Sequence, residues 1–333
     1  MSKKAFRVGL VGCGVIAPNH LDALKSNPLT EVVALCDVKL ERAKRRNEEF
    51  SLGARLYENY TEMLDTESLD AVHIATPHYL HAPMTIEALK RGINVFLEKP
   101  MCINQEQIND MLRAEKESSA TVCVCFQNRF IAAFREAMRL IEEDGGAIGA
   151  FGSVFWERTV PYYTESGWRG SYATEGGGVM INQAIHTIDM LCQILGTPKK
   201  LWATKANHHL KGVIEVEDTC EGLVEFENGK RANFYATTSF HGRDNTSVVV
   251  ITKNHRIEIS PPRLSVDFEW IDLNASTNYI GKECYGAGHP ILINRFYEAL
   301  RDGEPTPVSL ESAMHAVKIL LAAYKSGDEE TLI

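Results

Sequence analysis

Residues Phe6–Val11 run apolar and then break into Gly12-Cys13-Gly14-Val15-Ile16-Ala17, and no other stretch of the 333-residue chain limits its fold so tightly. An apolar run of this length ending in closely spaced glycines reads as a buried strand entering a tight turn. The residues that follow, to about Ser26, read as a helix. Strand, G-x-G-x-x-A and helix in that order form a dinucleotide-binding pattern. Gly12 permits the turn, Gly14 lets the backbone approach a pyrophosphate, and Ala17 allows close helix packing. Val15 and Ile16 open the helix, whose free N–H groups would face the phosphates. A second apolar run, residues 31–36, ends at Asp37. An acid about 20 residues past the glycines is placed to accept hydrogen bonds from the adenosine ribose hydroxyls of NAD. It also repels a 2′-phosphate, although Lys39 and Arg42 lie close enough in sequence to leave NADP open.

Strand and helix signals then keep alternating. Residues 40–50 read as a helix, 55–57 as a short strand, and a small helix begins at Tyr60. Residues 71–75 read as a buried strand ending in Thr76-Pro77-His78, followed by a helix over 79–91. Residues 94–97 form the next strand, which stops abruptly at Glu98-Lys99-Pro100. Asn104 is of the type that caps a following helix, and 122–126 supply the last strand of the unit. Such alternation predicts a doubly wound parallel sheet of the Rossmann class. Ligands bind at the carboxyl edge of that sheet. Thr76, Pro77, Glu98 and Lys99 all fall on this edge, so each is expected beside the cofactor. Pro100 biases Lys99 toward extended backbone, which holds the lysine in place.

After Phe126 the pattern changes. Residues 130–142 form one amphipathic helix, closed by Gly145-Gly146, and 150–160 read as a strand. A loop over 161–175 is rich in Tyr, Trp, Gly and Arg. Gly176-Gly177-Gly178 opens a helix through Leu195. Strand-like runs follow at 201–206, 219–226, 231–239, 247–252, 256–259 and 264–271, with Asn228-Gly229 as a hairpin turn. Two helices, 290–301 and 310–326, end the chain. The expected organisation is a Rossmann domain over 1–126 and an α+β domain with a large, mostly antiparallel open sheet over 127–333.

The formal net charge of −9 argues against nucleic acid or an anionic membrane as the main partner. No apolar run approaches the roughly 20 residues of a membrane span. The chain has eight cysteines but no C-x-x-C pair; Cys13, Cys36, Cys123 and Cys125 lie in apolar runs. These features indicate a reduced, cytoplasmic chain that uses Cys as a small hydrophobe. The His78/His81 and His208/His209 pairs lack partners at ligand spacing, so no metal site is expected. Arg42 to Arg46 read as the exposed face of a helix.

Gly176-Gly177-Gly178-Val179-Met180-Ile181-Asn182-Gln183-Ala184-Ile185-His186-Thr187-Ile188-Asp189 carries Asn182 and His186 four residues apart, on one helical face. With the glycine loop, Cys36-Asp37, Ala75-Thr76-Pro77 and Glu98-Lys99-Pro100, the chain resembles the Gfo/Idh/MocA oxidoreductases over nearly its whole length. The resemblance implies an NAD(P)-dependent dehydrogenase whose Lys99 and His186 flank a hydroxyl of a sugar, polyol or sugar derivative. It also implies a homodimer or homotetramer formed through the open sheet. The family's usual aspartate is replaced here by Asn182, and an amide cannot act as a base at neutral pH. The expected roles are His186 as general acid/base, Lys99 as polariser and relay, and Asn182 as orienter of the hydroxyl. Gln127, Arg129, Trp168 and Arg169 are candidates for substrate binding, and Asp189 for a supporting role. Two other functions fit the same motifs: a glycosidase or lyase using transient oxidation by NAD, and a non-catalytic NAD-binding regulator.

Overall fold

The computed structural model describes residues 5–242, 244–273, 280, 286–326 and 330–333. In the first half, strands β1 (Phe6–Val11), β2 (Thr30–Cys36), β3 (Arg55–Tyr57), β4 (Ala71–Ile74), β5 (Asn94–Leu97) and β6 (Val122–Val124) form one parallel sheet in the order β3-β2-β1-β4-β5-β6. Helices α1 (Ala17–Ser26), α2 (Leu40–Glu49), α3 (Tyr60–Thr66), α4 (His78–Lys90) and α5 (Gln105–Glu117) connect them. The Asn104 side chain caps α5 by accepting from the Gln107 N–H at 2.9 Å. Register explains why distant motifs meet. Tyr57, Cys36, Val11, Ile74, Leu97 and Val124 pair in one row across the sheet. The next residues, Asp37, Gly12, Ala75, Glu98 and Cys125, therefore emerge together at the carboxyl edge.

A 3-10 turn (Gln127–Phe130) leads into α6 (Ala132–Glu143) and β7 (Gly149–Phe155). The strand expected over 150–160 ends at Phe155, and the loop expected over 161–175 opens on a short helix, α7 (Val160–Thr164). The expected helix after the glycine run starts as a π turn, Met180–Ala184, before becoming α8 (Ile185–Leu195). A π turn inserts extra width into a helix and is frequent at functional sites. Strands β8 (Pro198–Ala206), β9 (Thr219–Phe226), β10 (Arg231–Thr237), β11 (Asn245–Ile251), β12 (Arg256–Ser260), β13 (Arg263–Val266), β14 (Glu269–Ile271) and β15 (Thr331–Leu332) follow, with α9 (Gly288–Asp302) and α10 (Leu310–Lys325) between the last two.

These strands and β7 form a nine-stranded sheet, order β14-β13-β12-β11-β7-β10-β9-β8-β15. Only the β7–β10 pair is parallel. The run expected as one strand over 264–271 is two, because Asp267 and Phe268 both take positive φ (51° and 74°) and make a hairpin turn. Asp-Phe carries no turn signal in sequence.

One face of the large sheet packs on α8 and α10. Gly152 on β7 allows this: a Cβ there would sit 2.7 Å from Thr187 Cγ2 on α8. On the opposite face β7 presents Phe151 and Phe155, β10 Tyr235, and β11 Val249 and Ile251; Phe151 is 40% and Ile251 44% exposed. Helix α9 turns back to the first sheet. Asn27 donates to Asn294 at 2.8 Å and Tyr297 reaches His73 at 2.9 Å.

Candidate active site at the sheet edge and the π turn

The glycine loop has the shape a dinucleotide requires. Gly12 takes φ +92°, and a Cβ on it would lie 2.4 Å from the Ala75 carbonyl oxygen, so the residue after β4 dictates this glycine. A Cβ on Gly14 would meet nothing within 4 Å, and Val15 is 92% exposed, which leaves an open cradle over the start of α1. Ile16 stands at the N-cap and Ala17 is buried beneath. Asp37 is buried at the end of β2 and accepts from Cys13 N at 2.9 Å and Lys39 N at 2.8 Å. The same carboxylate that would face a ribose thus also fixes the loop. Arg46 differs from the expected exposed face: it reaches back to donate to the Gly14 carbonyl at 3.0 Å. These residues fit NAD.

His81, set aside in sequence, ties the two remaining edge loops together. Its ring lies 2.8 Å from the Thr76 carbonyl and 2.7 Å from the Pro100 carbonyl. Pro77 is the N-cap residue of α4, and the Lys99–Pro100 peptide is cis. Glu98 is buried, and its carboxylate accepts from His20 Nε2 at 2.9 Å. Its part in the site therefore runs through the buried side of the edge. Among the described residues, Glu98, Cys125 and His289 bring ligand-type atoms within 4.8 Å of one another. The Glu98–His20 hydrogen bond already uses this cluster as a buried polar network.

Lys99 is half-buried and donates to the backbone carbonyl of Asn182 at 3.0 Å, joining the Rossmann edge to the π turn. Burial pushes its amine below the ordinary lysine value; Glu98, Cys125 and Glu175 oppose this and Arg169 adds to it. His186 sits one turn further along. Its Nε2 is 3.4 Å from Gln127 Nε2, and its Nδ1 is buried without a partner among the described residues. Burial, then the charge of Lys99, holds His186 well below its ordinary value, so it is neutral. The Asn182 side chain donates to Glu175 Oε1 at 2.5 Å and to the Tyr162 hydroxyl at 3.2 Å.

The glycine run answers to protein neighbours. A Cβ on Gly177 would lie 2.0 Å from the Tyr324 hydroxyl, and one on Gly178 1.8 Å from the Glu217 carbonyl. The buried Glu217 carboxylate accepts from Gly178 N at 3.0 Å and Met180 N at 3.1 Å, capping the π turn. Trp168 meets His78 edge to face, with ring centroids 4.7 Å apart. The Arg169 guanidinium lies 4.3 Å from the Tyr162 ring centre and 4.7 Å from that of Trp168. Gln127 is buried beside His186. Arg129, expected to bind substrate, instead makes a two-pronged ion pair with Asp189 (2.8 and 2.5 Å) and donates to Ser312. The pair ties the turn after β6 to α8.

Residues 6–126 match the oxidoreductase family with an NAD-binding Rossmann fold, and 134–258 match the Gfo/Idh/MocA C-terminal domain. The chain belongs to the Gfo/Idh/MocA family. It is an NAD-dependent oxidoreductase. It is 26% identical over 275 residues to levoglucosan dehydrogenase of Pseudarthrobacter phenanthrenivorans, covering 72% of this chain and 69% of the relative. It is 24% identical to myo-inositol 2-dehydrogenase of Thermotoga maritima over 97% of both chains. The WlbA dehydrogenase of Bordetella pertussis, solved with NADH and UDP-GlcNAcA, superposes with TM-score 0.89 at 25% identity, over 100% of this chain and 99% of that one. No described helix of this Gfo/Idh/MocA protein is long and apolar enough to cross a membrane.

Proposed function

We propose that this protein oxidises a secondary hydroxyl of a sugar or sugar derivative, with Lys99 receiving the hydroxyl proton. The observation that carries the reading is the Lys99–Asn182 bond, which sets a lysine from the Rossmann edge against the helix that bears His186. Bound NAD supplies the hydride acceptor. Oxidation then requires a base that is unprotonated at the working pH. From sequence that duty fell to His186. The surroundings favour Lys99, because burial lowers its amine and so favours the unprotonated form, while His186 is pushed to where it is a poor base. His186 would orient the hydroxyl through its unpartnered Nδ1, with Gln127 holding the other ring nitrogen.

Arg169 supports a substrate with an acidic group. Its guanidinium is stacked on two rings and has no ion pair among the described residues. Uronates and sugar nucleotides have that character, and the WlbA likeness points the same way. The test is NADH formation, followed by absorbance, with simple sugars, polyols, uronates and UDP-sugars. At least one acidic sugar should outperform its neutral counterpart. Product formation with no net NADH would replace this reading with transient oxidation, and NAD binding with no product from any class would favour a regulator.

A further inference from the structure

Glu175 ends the loop before the glycine run and is 1% exposed. Its Oε2 accepts from Gly170 N at 2.6 Å and its Oε1 from Asn182 Nδ2 at 2.5 Å. Both oxygens accept from N–H donors, an arrangement that an ionised carboxylate satisfies without a proton. The charged and titratable groups facing it are Lys99 from the sheet edge, Arg169 from the preceding loop, Tyr162 and Tyr163 from α7, His78 from α4, Glu217 ahead of β9 and Tyr324 from α10. Asn182 is the link: its backbone carbonyl touches the Lys99 amine and its side chain touches the Glu175 carboxylate.

We propose that Glu175 is a positioning residue of the proton-transfer site, its carboxylate orienting the Asn182 amide and balancing the charge of the Lys99 amine. The inference rests on the reading of Lys99 as proton acceptor. In that step the substrate O–H bond breaks and the proton bonds to the lone pair of Lys99, giving an ammonium ion. Glu175 gains and loses no bond; its negative charge offsets the new positive one. Burial pushes the Glu175 carboxyl up to about 7, against the hydrogen bonds of Gly170 and Asn182 and the charges of Arg169 and Lys99. Its charge therefore changes near neutral pH, so the Lys99 amine faces a carboxylate whose charge depends on pH.

The test needs no substrate. The protein is labelled with [ε-13C]lysine, the Lys99 resonance is assigned by its loss in Lys99→Ala, and the shift is followed against pH. In Glu175→Gln the Lys99 midpoint should fall by about one pH unit or more, the scale of losing a nearby opposite charge. The double variant Glu175→Gln with Asn182→Asp returns a carboxylate across the same hydrogen bond and should restore the midpoint. If Glu175→Gln does not fold, the reciprocal measurement stands: in Lys99→Met the labelled Glu175 carboxyl should titrate higher by a similar amount. An unchanged Lys99 midpoint in Glu175→Gln, a double variant that titrates like the single one, or an unchanged Glu175 in Lys99→Met overturns the proposal. Failure of the proton-acceptor reading shows separately, as undiminished NADH formation by Lys99→Ala.

Discussion

Glu98 and Glu175 are both buried and both act on the charge of Lys99, yet Glu98 is held well below the usual carboxylate range while Glu175 is pushed up to about 7. Burial opposes the charge of each, so burial does not separate them. Partners do. Glu98 accepts from His20 at 2.9 Å, with His289 at 3.9 Å, and this hydrogen bond together with the charge of Lys99 outweighs its desolvation. The network continues inward: His20 Nδ1 lies 2.8 Å from His73 Nδ1, and His73 Nε2 lies 2.9 Å from the Tyr297 hydroxyl. A proton on His20 Nε2, one on His73 Nδ1 and one on the Tyr297 oxygen satisfy every atom, all donating toward Glu98. Glu175 is bonded only by neutral amides. One glutamate carries a permanent charge that holds the fold behind the lysine. The other carries a charge that changes near neutral pH, where chemistry can use it.

The largest expected effect separates the two by stability. Glu98→Ala leaves the buried His20 N–H without its acceptor and empties the glutamate's site, and should cost about 3–5 kcal/mol of unfolding free energy, a lost hydrogen bond to a charged group plus a cavity. Glu175→Gln keeps its hydrogen-bonding shape if the Asn182 amide flips, and should cost far less in urea denaturation at neutral pH. Equal losses would erase the distinction.

The pH dependence sharpens it further. A carboxyl whose folded pKa is raised binds protons more tightly when folded, so its contribution to stability falls as pH rises from about 4.5 to about 7. That span corresponds to roughly 3 kcal/mol. Glu175→Gln should therefore gain on the parent as pH rises from 5 to 8 (on the order of that amount,). Glu98 has the opposite sign. Its stabilisation is full above the ordinary glutamate value and is lost as pH falls through its depressed folded value, so Glu98→Gln should approach the parent only in acid. Parallel stability curves for the parent and Glu175→Gln would contradict the assignment.

Asp37 is a third buried acid, with a charge directed at the cofactor. Asp37→Ala should weaken NAD binding by about tenfold, the scale of one hydrogen bond to a charged group, and narrow the gap to NADP. Calorimetry on both nucleotides reads this, and equal wild-type affinities would contradict it. The smallest effect on chemistry concerns the apolar face of the large sheet. We expect a dimer or tetramer through Phe151, Phe155 and Ile251, and Phe151→Glu should lower the mass seen by light scattering. A monomeric parent at micromolar concentration would refute the interface.

The Rossmann half was legible because its signals are local. A glycine at φ +92°, a strand ending in an acid and a proline after Lys99 each declare themselves within a few residues. One register row then brings them to a common edge. The long-range pairings were not legible. His73 and Tyr297 are 224 positions apart, and nothing near either names the other. Arg129 read as a substrate-binding candidate because its partner, Asp189, is 60 positions away. The π turn was hidden because the sequence from Gly178 to Leu195 suits an ordinary helix. Glu175 did leave a trace: an acid directly before three glycines, in a stretch about to be buried, must find a partner or shift its charge.

The central claim is that Lys99, poised between a fixed and a variable carboxylate, takes the proton of the substrate hydroxyl. The most direct measurement pairs NAD affinity with NADH formation in Lys99→Ala, using whichever sugar the screen identifies. The account predicts NAD affinity close to that of the parent and turnover lower by about 10²-fold or more, because a proton acceptor is lost and cofactor contacts are not. Near-normal NADH formation by Lys99→Ala, with NAD bound as tightly as in the parent, would contradict it.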